Sequence, residues 1–157
     1  MANQPNLVFV FSDRQRFDTL EAYGNDYVKA PNLNALAKES IVFKNAYVTQ
    51  AVCAPARASI MTGLYPHAAG MPRNKLVMPE EVETIANMVS DNYRKAYFGK
   101  WHLGRSPYTA LDHGFDVDIP NWYGPGPAGS YVAPRKFPDF KEAYPGEHIE
   151  DRMADEI

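Results

Sequence analysis

The chain alternates short apolar runs with polar breaks marked by Gly and Pro. Leu7-Val8-Phe9-Val10-Phe11 has no polar position. Such a run predicts a strand buried on both faces, as in a parallel sheet. Ala30-Pro31-Asn32 opens a helix that runs to about Glu39. Its Leu33, Leu36 and Ala37 fall at the i, i+3, i+4 spacing of one packed face, and Ser40 ends it. Ile41 to Val48 is apolar and β-branched and predicts a second buried strand. Helix-compatible residues follow from Arg57 to Met61, with Pro55 suited to a first turn and Gly63 as the stop. Leu64-Tyr65-Pro66-His67 reads as a turn, with His67 a surface or packed side chain, and 71–78 reads as irregular. Pro79 to Val89 predicts a helix, with acids near its positive end and Val82, Ile85, Ala86 and Val89 as the buried stripe. Lys95 to Phe98 predicts a short strand. Residues 118 to 146 mix Pro, Gly and aromatics without a period and predict a long irregular loop. Glu147 to Ile157 predicts a helix with Ile149, Met153 and Ile157 on one face. Strands alternating with helices make the fold class α/β, a sandwich with a largely parallel central sheet.

Composition narrows the classes. At 157 residues, 45% hydrophobic and 22% charged, the chain suits one soluble globular domain with a real core. The net charge is −3 with no basic block, which disfavours nucleic acid as a partner. One cysteine excludes an internal disulfide. The N-terminal residues Met1 to Asn6 have no basic region, and the apolar run after them is short. No signal peptide and no membrane span are read from the sequence, and the expectation is cytoplasmic.

Chemistry concentrates at three places. Cys53 lies where a loop enters the helix, near free amide N–H groups and the positive end of the helix dipole. That place suits a held anion or an activated nucleophile, although a lone cysteine is most often a small buried hydrophobe. Asp13 comes directly after the first predicted strand, at its carboxyl end, where open α/β sheets bind ligands. It reads as a ligand for a hard divalent cation or as a cap for the next helix. Lys100 and His102 are two apart, so on an extended chain they share a face. They read as an anion-binding and proton-moving pair, or as a solvated lysine and a packed histidine.

Cys53-Ala54-Pro55-Ala56-Arg57, continuing through Ala58-Ser59-Ile60-Met61-Thr62-Gly63-Leu64-Tyr65-Pro66-His67, resembles the sulfatase family signature. Gly99-Lys100-Trp101-His102-Leu103-Gly104 resembles the second signature of that family, in the family's order. His113-Gly114-Phe115-Asp116 resembles a further segment with a structural role. The resemblance implies a partial alkaline-phosphatase-like sandwich. On this reading residues 1–157 are the N-terminal part of a sulfatase catalytic domain, cut short at its C-terminus, with further metal ligands and sulfate contacts in later sequence. A piece of that size is expected to expose a strand edge or apolar face unless a partner, a second copy included, covers it.

The resemblance also assigns roles. A formylglycine-generating enzyme would oxidise Cys53 to formylglycine, whose hydrated aldehyde offers one hydroxyl as nucleophile and a second to release sulfate afterwards. Asp13 and the modified Cys53 would be ligands of Ca²⁺ or Mg²⁺. Arg57 would hold the diol, Lys100 would bridge nucleophile and sulfate, and His102 would take the proton that starts elimination. The substrate would be a sulfate ester of a sugar or aryl alcohol, with the aromatic loop at 118–146 as a wall of its pocket. One departure stands out. Arg14 occupies the position where the family commonly has a second aspartate, and a guanidinium has no lone pair for a metal. Two other readings accompany this one: a phosphonate or phosphate monoester hydrolase of the same superfamily, and a non-catalytic fragment that binds anions at most.

Overall fold

The computed structural model describes residues 4–137 and 140–157. Met1 to Asn3, and Pro138 of the Pro- and Gly-rich stretch, lie outside the described residues. The chain forms two compact units, residues up to Tyr47 and from Val48 onward.

The first unit holds one helix, α1 (Pro31–Lys38), preceded by two single 3₁₀ turns, Phe17–Thr19 and Glu21–Tyr23. Pro31 opens α1, where its missing N–H is not needed. Gly24, with φ of 92°, closes the second turn in a left-handed conformation that glycine adopts without steric cost. Asn25 organises the connector: its Nδ2 donates to Asp18 O at 2.7 Å, and its Oδ1 accepts from Tyr27 N and Val28 N at 2.9 Å each.

Three sequence expectations fail in this unit. Leu7 to Phe11 and Ile41 to Val48 are not strands. Val10 is 84% exposed and Ile41 83%. The α1 face predicted to pack is also open, with Leu33 and Leu36 exposed. The physical reason is common to all three. An apolar run becomes a strand only when a neighbour takes its backbone hydrogen bonds and covers its side chains. Among the described residues, the only paired strands lie in the second unit.

The second unit is built on α2 (Cys53–Thr62) and a parallel pair of strands, β1 (Ala96–Lys100) and β2 (Val117–Trp122). The register sets Ala96 beside Val117, Tyr97 beside Asp118 and Phe98 beside Ile119, then shifts before Lys100 meets Trp122. β2 lies mostly in the stretch predicted as loop, where Pro, Gly and aromatics show no period. The α/β class and the parallel sheet stand, present here in part. α2 buries Ala54, Pro55, Ala58 and Met61, and Gly63 ends it with φ of 71°. Trp101, Leu103, Met71 and Met78 complete the core, and Met78 N donates to Leu103 O at 2.7 Å.

The predicted helix over 79–89 shrinks to α3 (Ile85–Met88). Thr84 restarts the chain there: its hydroxyl accepts from Ala86 N and donates to His113 O, while Asn87 reaches back to Thr84 N. This reciprocal cap fixes the helix start at Ile85, six residues after Pro79. Ala86 of the predicted stripe is buried, whereas Ile85 is exposed. His113 is buried between the carbonyls of Thr109 (2.9 Å) and Pro79 (3.4 Å), which is the structural role expected of its segment.

The stretch after β2 is ordered by two devices. Ala128, Phe137 and Phe140 form a small apolar cluster, against which Ile119, Trp122, Ile149 and Met153 pack. Ile149 and Met153 belong to α4 (Ile149–Ala154), shorter than the predicted 147–157, and Ile157 is exposed. Beside the cluster, Arg135 Nη2 donates to Glu147 Oε2 at 2.5 Å, both side chains almost fully buried. Ala143 N also donates to Glu147 Oε2, at 3.2 Å. Among the described residues no helix is long and apolar enough to cross a membrane.

Candidate functional site

The site is built from the N-terminal turn of α2 and the exit of β1. Val52 precedes the helix in an extended conformation and offers no side-chain cap. A helix start leaves amide donors without intrahelical partners. Asn74, from a distant turn, supplies the acceptor: its Oδ1 takes Ala54 N at 3.1 Å and the Cys53 thiol at 3.3 Å. The turn is tied in place by Gln50 Nε2, which donates to Pro72 O at 3.2 Å. Next to Asn74, Lys75 has φ of 67°, a strained position for a lysine. Cys53 is half-buried and is the first helical residue.

Arg57 lies four residues further, so it shares a helix face with Cys53. It is only 6% exposed. Its Nη1 donates to the Tyr97 hydroxyl at 3.2 Å and to the carbonyl of Lys100. The Tyr97 hydroxyl donates to that same carbonyl at 2.6 Å. Burial pushes the Tyr97 phenol up to about 12, against the opposing pull of Arg57, so it stays a hydroxyl at neutral pH.

Lys100 ends β1 and is half-buried. The chain then leaves the extended conformation. Gly99 has φ of 104° and His102 has φ of 58°. The expectation that Lys100 and His102 share a face by strand alternation therefore does not apply, because the alternation stops at the strand end. His102 is half-buried on this turn. Next to the site on β2, Asp118 is partly buried, and burial raises its carboxyl to about 6; the backbone groups of Ala110 and Asn121 pull the other way and fall short.

The structure thus brings together Cys53, Arg57 and the backbone of Lys100. Asp13 belongs to the first unit, where it is exposed, and Arg14 beside it has φ of 65°. Among the described residues no three His, Cys, Asp or Glu side chains gather as a metal site. Asp13 offers a carboxylate, a hard donor of the kind a divalent cation takes, and Arg14 offers none. The sequence reading missed Asn74 and Tyr97. Asn74 carries no local signal, since its partners are twenty residues away. Tyr97 had one: a phenol on a buried strand requires a polar partner.

With this geometry in view, comparison with known proteins is direct. The family model for sulfatases matches residues 5–157. An ulvan-active sulfatase of Formosa agariphila is 43% identical over 119 residues, 72% of this chain and 23% of the relative. Human arylsulfatase A is 34% identical over 71% of this chain and 23% of its own length. The crystal structure of Ps i-CgsB superimposes with a TM-score of 0.60 at 32% identity, covering 64% of this chain and 24% of that one. The two signature segments, the helix that starts at Cys53 and the partial α/β fold define one class, and the chain belongs to the sulfatase family. It spans about a quarter of the length of these relatives.

Proposed function

We propose that this chain carries the nucleophile end of a sulfuric ester hydrolase, with formylglycine made from Cys53 as the nucleophile. The observation that carries the reading is the bond from Arg57 to the Lys100 carbonyl. It joins the helix of the first signature to the turn of the second, two segments over forty residues apart, and so ties the backbone of Lys100 to the guanidinium that lies one helical turn from position 53. Formylglycine supplies a hydrated aldehyde, a nucleophile with a second hydroxyl for releasing sulfate.

The chain's own residues do the rest. Asn74 orients position 53 through the Oδ1 that also holds the helix start. Arg57, fixed by Tyr97 and Lys100, offers positive charge one helical turn from the nucleophile. Lys100 adds a second cation for the sulfate oxygens, and His102 is the proton carrier. Asp13 and the modified Cys53 are the ligands this chain would contribute to a Ca²⁺ or Mg²⁺; no step above depends on that ion. The substrate class is a sulfate ester of a sugar or aryl alcohol.

The test is parallel hydrolysis of an aryl sulfate and an aryl phosphonate monoester by protein made alongside a formylglycine-generating enzyme. Preferential sulfate release, reduced about a hundredfold or more in Arg57→Ala, is the expected result. Preference for the phosphonate would move the chain to the sister activity. Formylglycine present with neither ester cleaved would leave a fragment that binds anions at most.

A further inference from the structure

We infer that Tyr97 is a positioning residue for Arg57, fixing the direction in which the guanidinium meets a bound anion. The inference deepens the sulfatase reading and rests on it.

The hydroxyl has a fixed place. The Tyr97 ring stands edge-on to Trp101, with centroids 5.1 Å apart at 84°, and to Phe115, at 5.5 Å and 72°. Trp101 is 1% exposed, and its indole N–H donates to Tyr108 O at 2.9 Å. The phenol therefore projects from a wall of rings that are themselves anchored. A hydroxyl has one proton and two lone pairs, which sets the roles. The proton goes to the Lys100 carbonyl at 2.6 Å, and an oxygen lone pair accepts from Arg57 Nη1 at 3.2 Å.

Arg57 also donates to that carbonyl, so three groups close a small ring: guanidinium, phenol and carbonyl. The ring sits where the chain changes direction, between the positive φ of Gly99 and that of His102. A guanidinium is planar, so holding one nitrogen against two fixed oxygens sets the direction of the whole fork. Without the hydroxyl, the guanidinium loses one of the two oxygens that hold Nη1, and the turn at Lys100 loses the bond from the phenol. Small displacements of a charged group at a reacting centre are costly in rate. The ring packing does not need the hydroxyl, which makes Tyr97→Phe a clean removal.

The experiment is nitrogen-15 NMR of the 157-residue chain, with the Arg57 side-chain signals assigned from an Arg57→Lys sample and inorganic sulfate as the probe. In the wild type, the Arg57 Nη protons should exchange with water at least about tenfold more slowly than those of an exposed arginine. Tyr97→Phe should quicken that exchange severalfold, while amide protection along β1 stays within about twofold. It should also weaken sulfate binding about tenfold. A tyrosine with only a packing role would move β1 protection and leave the Arg57 protons and sulfate affinity alone. Wild-type Arg57 protons that exchange like an exposed arginine would overturn the inference with no variant needed, so a poorly folding Tyr97→Phe does not remove the test. Unchanged sulfate affinity in folded Tyr97→Phe would overturn it as well. Arg57 exchange that quickens in Tyr97→Phe, in a chain that binds no sulfate at all, would support the clamp and count against the sulfatase reading instead.

Discussion

The two units carry comparable apolar runs and bring them to different ends. Before residue 48, no described residue is buried, and Leu7, Val8, Phe9 and Val10 are all more than 60% exposed. After it, Met71, Met78 and Leu103 are completely inaccessible, and Trp101 nearly so. The difference is not hydrophobicity. In the second unit β1 finds β2, and α2 finds the residues of both signatures to pack on. In the first, the apolar run from Leu7 to Phe11 forms no strand. An apolar pattern states a demand for burial, and the demand is met only where a partner segment is present.

That comparison sets the expected size of substitutions. The largest effect should come from Glu147→Ala. It leaves the buried Arg135 guanidinium without its carboxylate and should cost about 3–5 kcal/mol, read as a fall in the denaturant midpoint of the second unit. Asn74→Leu comes next. Losing the acceptor for Ala54 N should cost about 1–2 kcal/mol and should speed alkylation of Cys53, the sole thiol, as its turn loosens.

Asp118→Asn should act in the opposite direction and only above a definite pH. Burial raises this carboxyl from 3.8 to about 6, so the folded state binds its proton more readily than the unfolded chain does. Its stabilising contribution is complete below the unfolded value and is lost as pH rises through 6. The Asn variant should therefore match the wild type near pH 4 and exceed it at pH 7.5 by about 1 kcal/mol, allowing for partial solvent access. Thermal melts at the two pH values measure this. The smallest effect belongs to the first unit. Val8→Thr removes an exposed apolar group and should change stability by less than about 0.5 kcal/mol. A larger loss would mean that this run is buried after all and would break the comparison.

The parts legible in the sequence are those governed by local rules. Pro31 and the spacing after it marked α1, and Gly63 marked the end of α2, because capping and left-handed turns depend on a few adjacent residues. β1 was legible from Ala96 to Phe98. The signatures pointed to Cys53, Arg57 and the Lys100 turn, and the fold joins these three. What was hidden depends on distant partners. β2 contains Pro120 and is a strand only because β1 lies beside it. Asn74 and Tyr97 matter through bonds that span twenty and forty residues. The predicted length of the helix at 79–89 failed for a local reason that was present but unweighed, the Thr84 and Asn87 pair.

The central claim is that Cys53 is the precursor of a nucleophile and not only a small core residue. The most direct measurement is the mass of the tryptic peptide Asn45 to Arg57, which holds the sole cysteine, from cells that contain a formylglycine-generating enzyme. A loss of about 18 Da relative to the cysteine form, the change expected when the thiol becomes an aldehyde nucleophile precursor, is the result predicted here. An unmodified cysteine in cells that convert a control sulfatase would contradict the claim and leave this chain a sulfatase by sequence and fold without the sulfatase nucleophile.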